Sequence, residues 1–170
     1  MGSLRANARL NYEEVVKAHE IGFQRAKEIN WTGDNHARRR NLNPNYHSFI
    51  AELSESVASE MAVAKWLHLT NFEPTVNGFK KEADVGSSIE VKWTRWYDGH
   101  LIIHSYDRED DIAFLVTGQS PIYTIVGWTP IKASKVDQHW VASEKNWWVP
   151  QSQLRPMNTF KGSIYATSSL

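Results

Sequence analysis

Cysteine is absent from this 170-residue chain, so neither a disulfide framework nor a zinc-thiolate site can form. Net charge is absent too, because 19 basic residues balance 19 acidic ones. That balance leaves nucleic-acid contact to local clusters of basic residues. No run approaches the roughly 20 consecutive apolar residues of a membrane span, and the N-terminus lacks the apolar core of a secretory signal. We therefore expect a soluble, cytoplasmic protein with no membrane partner.

The chain is long enough to bury a core, and its 41% hydrophobic and 22% charged residues are ordinary for a globular domain. Helical spacing of apolar residues predicts a helix over 12–29, with Asn11 as its N-cap, and a longer one over 46–69. After residue 74 the period changes to that of strands, with Gly, Asp and Pro between them. This order predicts an α/β domain of the α+β layered type.

One strand carries an unusual pair of charges. In "SSIEVKWTRW", residues 87–96, apolar and polar residues alternate, so Glu90 and Lys92 point to the same side. The preceding "VGSSI" is short enough for a tight hairpin, which brings Asp84 beside Glu90. Two carboxylates together with the backbone carbonyl of Val91 are the oxygen ligands that Mg²⁺ or Mn²⁺ prefers. We expect a metal site here.

The basic residue of the pair has a role beside such a metal. The ammonium of Lys92 can orient an attacking water and stabilise charge on a phosphoryl oxygen. Glu60 lies inside the apolar stripe of the second helix, where a carboxylate needs a partner. It is a candidate for holding metal-bound water or a second ion. We therefore expect Glu60, Asp84, Glu90 and Lys92 to be catalytic in metal-assisted phosphodiester hydrolysis.

The order Glu60, Asp84, then Glu90-Val91-Lys92 resembles the PD-(D/E)XK nuclease superfamily over residues 46–104. Ala83 stands where a proline often precedes the family's aspartate. The resemblance implies a restriction-endonuclease-like core over 46–170, with a mixed central sheet flanked by helices and residues 1–45 as part of it or appended to it. It also implies a divalent-metal-dependent endonuclease acting on double-stranded DNA, commonly as a homodimer. The later strands resemble small phage-type or homing-type members, which act in the host cytoplasm.

Basic residues near the expected site are candidates for binding DNA phosphates. They are Arg38, Arg39, Arg40, Lys80, Lys81 and Arg95. The simpler interpretation of the three consecutive arginines is a solvated loop. For "DREDD", residues 107–111, the simpler interpretation is a solvated turn. Core packing is the default for Trp96.

Other functions fit parts of this pattern. Asp84, Glu90 and Lys92 can form a structural ion-pair ladder, and Glu60 can be a paired, purely structural acid. The chain would then be a non-catalytic nucleic-acid-binding module on a nuclease fold. A third hypothesis is a carbohydrate hydrolase with Glu60 and Glu90 as the acid and base, which requires carboxylates about 5 to 9.5 Å apart and makes no use of Lys92.

Overall fold

The computed structural model describes residues 4–29, 45–76 and 81–170 of the chain. Within these ranges it contains four helices and seven strands. The helices are α1 (Tyr12–Glu28), α2 (Tyr46–Trp66), α3 (Ile131–Ser134) and α4 (Ile164–Ser169). The strands are β1 (Ala6–Arg9), β2 (Ile89–Thr94), β3 (Leu101–Ile103), β4 (Ile112–Gln119), β5 (Ile122–Pro130), β6 (Trp140–Val141) and β7 (Asn146–Val149).

The two long helices begin where the sequence predicts. The side chain of Asn11 accepts the N–H of Glu14, whose carboxylate in turn accepts the N–H of Asn11, so α1 starts with a capping box. The side chain of Asn45 caps α2 by accepting the N–H of Ser48. Small buried residues along α2, such as Ala58 and Ala62, let this helix lie close to the sheet beneath it.

The main sheet has four strands in the order β1-β5-β4-β2. β2 pairs with β4 in parallel, whereas β4 with β5 and β5 with β1 are antiparallel, so the sheet is mixed. β4 is buried from Ile112 to Thr117, as expected of a strand covered on both faces. β2 lies at the edge of this sheet, and among the described residues no further strand pairs with its outer side, which we call the free edge.

Different layers cover the two faces of the main sheet. On one face, α1 and α2 pack over a core that includes Val57, Val91 and Phe114. On the other face lies a three-stranded antiparallel sheet, β3-β7-β6, whose Leu101 and Val149 pack against Leu115 of β4. The predicted α+β layered fold with a mixed sheet is confirmed. Among the described residues the two long helices lie on one face, and a second small sheet covers the other together with α3, whose Ile131 is buried in that second core.

The described part of residues 1–45 belongs to this same core. β1 adds to the main sheet beside β5, and Leu10 and Ala18 are buried in the cluster beneath the helices. None of the helices in 4–29, 45–76 and 81–170 combines the length and hydropathy that a membrane span requires.

The C-terminal helix fastens the turn that precedes β2. The N–H of Ser87 donates to the carbonyl of Ser169 at 2.9 Å, and the hydroxyls of Ser88 and Ser169 are 2.7 Å apart. Gly86 has a φ of +61°, and a Cβ there would lie 2.2 Å from the Ser169 carbonyl oxygen. Only glycine fits this position without strain. The turn before β2 is thus held in place by Ser169, which is far away in the chain.

Candidate active site

The turn before β2 brings Asp84 to the free edge of that strand. Val85 and Ile89 form an antiparallel bridge through two backbone hydrogen bonds, and the N–H of Val91 donates to Oδ2 of Asp84 at 2.7 Å. In a strand, the N–H and C=O of one residue point toward the same side. The carbonyl of Val91 therefore faces the same edge as the Asp84 carboxylate.

Glu90 and Lys92 lie on one face of β2, as the alternation predicts. Ile89 and Val91 are buried in the core beneath the helices. Glu90 pairs in register with Ala113 of β4, and Lys92 with Leu115. Ala113 and Leu115 belong to the core on the other face, so Glu90 and Lys92 point toward the layer of the small sheet.

The carboxyl group of Glu90 is poorly neutralised. Its side chain is 14% exposed, and in the described part of the chain Arg108 is the only basic side chain within 4 Å of it, at 3.8 Å. Burial, first, and then the negative charges of Asp84 and Asp107 raise the pKa of Glu90 to about 8, with Lys92 opposing the shift. Of these causes, the neighbouring negative charges favour a cation at this position, whereas burial does not.

Asp84 shares this environment. Burial raises its pKa, whereas the Val91 hydrogen bond and the charges of Lys92 and Arg25 lower it, and the charge of Asp107 raises it again. Asp84 and Glu90 thus lie within electrostatic reach of each other and of Lys92. Of the four candidate catalytic residues, the structure places Asp84, Glu90 and Lys92 close together.

Glu60 is buried on α2, the helix that packs on the face of the main sheet opposite to the one Glu90 points toward. Its Oε1 and Oε2 accept hydrogen bonds from the guanidinium of Arg25 on α1 at 2.7 and 2.9 Å, and both side chains are nearly inaccessible. Burial raises the pKa of Glu60, Arg25 opposes that shift, and the charge of Asp84 adds to it. Glu60 is therefore near Asp84, but a bidentate ion pair already occupies both of its oxygens.

The side chain that contacts Lys92 most closely is one the sequence analysis missed. Nζ of Lys92 lies 2.7 Å from Oδ1 of Asp107, whose side chain is 4% exposed. The expectation of a solvated turn over "DREDD" is wrong for Asp107 and Asp111, which are both buried. Arg108 pairs with Asp111 at 2.6 Å, which compensates that second buried acid. Asp107 lies in the short turn between β3 and β4, and its place between two apolar strand segments was the available signal.

The groups at this edge fit a hard divalent cation by their chemistry. The candidate ligands are the carboxylates of Asp84 and Glu90 and the Val91 carbonyl, which are oxygen donors of the kind Mg²⁺ takes together with water. After burial, the negative charges of Asp84, Asp107 and Asp111 contribute to the raised pKa of Glu90, and a cation bound here would offset them. Among the residues that the structure describes, no three His, Cys, Asp or Glu side chains form a ready-made metal cluster. A metal held here would rely on the backbone carbonyl and on water.

The predicted DNA-binding residues are placed only in part. Arg38, Arg39, Arg40 and Lys80 lie outside the described residues. Lys81 is exposed. Arg95 is 3.3 Å from Glu52, an exposed pair that leaves much of the guanidinium accessible. Trp96 does not pack in the core: it is 60% exposed, and the next residue, Tyr97, is 73% exposed.

In comparisons of the chain with protein-family models, curated proteins and solved structures, none of the three found a match.

Proposed function

We propose that this chain is a divalent-metal-dependent endonuclease that hydrolyses the phosphodiester bonds of DNA. One observation carries the proposal: Asp84, Glu90 and Lys92 converge at the free edge of β2, with both carboxyl pKa values raised. Clusters of perturbed acids beside a single amine are typical of sites built for chemistry. The resemblance to the PD-(D/E)XK arrangement supports the same activity.

In this proposal Asp84, Glu90 and the Val91 carbonyl hold Mg²⁺ or Mn²⁺. When bound, the metal supplies Lewis acidity at the phosphoryl oxygen and lowers the pKa of coordinated water. Lys92 supplies positive charge where negative charge develops on the phosphate. The buried Asp107 fixes the Lys92 ammonium at one place, so charge and metal ligands face the same phosphate.

We assign Glu60 a supporting role. Both of its oxygens accept from Arg25, which argues against a second ion there. The charge of Asp84 raises the pKa of Glu60, so the two carboxyl groups interact, and the Arg25 pair fixes α1 to α2 at that point. Glu60 then influences the metal ligands without binding the metal itself, as the groups that surround the ligands do at metal centres.

DNA would approach from the open side of β2. Lys81 and Arg95 are accessible there, and Arg38, Arg39, Arg40 and Lys80 are proposed to add phosphate contacts. Trp96 and Tyr97 expose ring surface that can pack on sugars or bases. Cutting both strands of a duplex calls for two such sites, so we propose a homodimer. A phage or homing-type enzyme in the cytoplasm of its host fits this description.

A second candidate is a nucleic-acid-binding module without catalysis. It is favoured by the ion pairs of Arg25 with Glu60 and of Lys92 with Asp107, since a structural network would also pair its charges. This alternative does not account for Glu90, which lacks a close basic partner in the described part of the chain. The two candidates differ in one measurable respect, which is strand scission.

The test is cleavage of supercoiled and linear double-stranded DNA with Mg²⁺, Mn²⁺ or EDTA. The variants are Asp84→Asn and Lys92→Met, and the matched controls are Asp110→Asn and Lys132→Met at exposed positions. We expect metal-dependent nicks or breaks from the wild type and both controls. Losing an acid ligand or the cation is expected to lower the rate by about 10²-fold or more.

The result can also go against the proposal. DNA that is bound but never cut, with any metal, would leave the binding module as the better account. Equal cleavage by Asp84→Asn and Asp110→Asn would place the reaction elsewhere in the chain. Circular dichroism and thermal unfolding establish that each variant is folded before its rate is compared.

A further inference from the structure

A catalytic lysine needs a device that fixes its position. Its four-carbon stem is flexible, and misplacing a catalytic group by about 1 Å can lower a rate by 10²-fold. Lys92 lies on an edge strand and its side chain is 21% exposed. The strand alone sets where the stem begins and leaves the position of the ammonium open.

Asp107 is anchored well enough to fix that position. Its Oδ2 accepts the N–H of His104 at 2.7 Å, while its own N–H donates to the His104 carbonyl at 3.1 Å. Its carbonyl accepts a hydrogen bond from Nζ of Lys135 at 2.9 Å. Asp107 is thus tied to the turn between β3 and β4 through His104, and to the end of α3 through Lys135. The remaining oxygen, Oδ1, points at Lys92.

We propose that Asp107 is a positioning residue, which holds the ammonium of Lys92 toward the phosphate that Asp84 and Glu90 bind through the metal. This inference rests on the proposed endonuclease function. It assigns a role outside the Glu-x-Lys triplet and places it on the turn after β3. Asp107 touches neither substrate nor metal in this account and acts through Lys92 alone.

The geometry favours positioning over metal ligation. Oδ2 is used by a backbone N–H and Oδ1 by Lys92, so a metal would have to displace one of these partners. The charge of Asp107 still reaches Glu90 and Asp84, since it raises the pKa of each. Its removal therefore leaves the ligands in place and frees the lysine.

The kinetic test compares Asp107→Asn and Asp107→Glu with the exposed control Asp110→Asn. Asn keeps an acceptor for the His104 N–H and loses the charge that holds Lys92. We expect kcat to fall by about 10- to 100-fold, the effect typical of supporting residues, with KM for DNA unchanged. Asp107→Glu keeps the charge and should recover part of kcat. In a Lys92→Met background, Asp107→Asn should have no further effect.

A second measurement does not depend on activity. Acylation of lysine amines by a water-soluble reagent, followed by peptide mass spectrometry, compares Lys92 with the exposed Lys132 in the folded protein. We expect Lys92 to react several-fold faster in Asp107→Asn than in the wild type, because no carboxylate holds and covers it. The rate at Lys132 should not change. Asp107→Glu serves in both measurements if Asp107→Asn does not fold.

The possible failures can be told apart. A wild-type protein that cuts no DNA overturns the proposed function and this inference with it. Wild-type cleavage with an unaffected Asp107→Asn, or an unchanged acylation rate at Lys92, overturns the inference alone. An additive loss in the Lys92→Met background also overturns it, as does the loss of Mg²⁺-induced thermal stabilisation in Asp107→Asn, since Asp107 would then be a metal ligand.

Discussion

The carboxylate of Asp84 accepts the backbone N–H of Val91 at 2.7 Å, across the turn that leads into β2. This single bond ties the acid to the same edge as the Val91 carbonyl, next to Glu90. Any change that opens the turn moves Asp84 away from the other groups of the site. The site therefore depends on residues of the turn that have no chemistry of their own.

Gly86→Ala tests that dependence. A side chain at a φ of +61° is strained, and its Cβ would lie 2.2 Å from the Ser169 carbonyl oxygen. We expect a loss of at least about 1–2 kcal/mol in the free energy of unfolding, together with slower DNA cleavage. Urea denaturation and the cleavage assay measure the two effects.

Gly162→Ala is the matched control, since nothing lies within 4 Å of a Cβ at that position. It should leave stability within about 0.5 kcal/mol of the wild type and the cleavage rate unchanged. If the two alanine variants behave alike, the turn does not constrain the site as described.

Magnesium should stabilise the wild type through Asp84 and Glu90. At a concentration 100 times Kd, binding to the folded state adds about 2.7 kcal/mol, which corresponds to a rise of about 5–10 °C in Tm for a domain of this size. Asp84→Asn should show little or no rise. Differential scanning fluorimetry with and without Mg²⁺ is sufficient, with Asp110→Asn as a control. A full rise in Asp84→Asn would remove Asp84 from the metal site.

The buried pair of Arg25 and Glu60 should respond unequally to single and double substitution. Arg25→Met leaves a carboxylate buried without its partner, and we expect a loss of about 3–5 kcal/mol in the free energy of unfolding. The double variant Arg25→Met with Glu60→Leu removes both charges and should recover part of the lost free energy of unfolding. Recovery will be incomplete, because Nε of Arg25 also donates to the Thr75 carbonyl at 2.8 Å. Urea denaturation measures both variants; a double variant no more stable than Arg25→Met would show that the charges do not interact.

The free energy of unfolding should change with pH because Glu90 binds its proton more tightly in the folded protein than in the unfolded chain. Its folded-state pKa of about 8 lies above the ordinary value of 4.5, so between these values the folded protein binds more protons than the unfolded chain. The resulting stabilisation is fully present below pH 4.5 and is lost as pH rises through about 8. One such group changes the free energy of unfolding by at most about 1.4 kcal/mol per pH unit. Urea denaturation of the metal-free protein at pH 5 to 9 should show this decline.

Glu90→Gln is the test of that assignment. The amide cannot ionise, so stability should fall less steeply with pH than in the wild type. Glu109→Gln changes an exposed acid and should follow the wild-type curve. If the slope for Glu90→Gln matches the wild type, Glu90 does not contribute to the decline, which then belongs to other buried acids such as Glu60.

Local sequence patterns predicted the features that depend on local spacing. The N-cap of α1 at Asn11, the start of α2 and the facing of Glu90 and Lys92 all follow from periods of 3.6 and 2, and the structure agrees with them. The turn over residues 85–89 likewise follows from its glycine and serines. Each of these depends on neighbours a few residues apart.

The partners of the site residues could not be predicted in this way. Arg25 and Glu60 are 35 positions apart in the sequence, and Lys92 on β2 contacts Asp107 in the turn between β3 and β4. An acidic run such as "DREDD" reads as solvated until tertiary contacts show which carboxylates are buried. β1 was also missed, since its four residues form a strand only because β5 offers an edge.

The fastening of the Gly86 turn by α4 has a consequence for folding kinetics. Ser87 and Ser88 meet Ser168 and Ser169 over a separation of 81 residues, and contacts that distant form late because a long segment must be ordered before they close. The helices and strands β2, β4 and β5, which pair over shorter separations, can therefore pack before Asp84 reaches its place in the site. Such an intermediate would have a formed core while its metal ligands were still out of position. During refolding, the fluorescence change of the core tryptophans should therefore precede the return of magnesium binding.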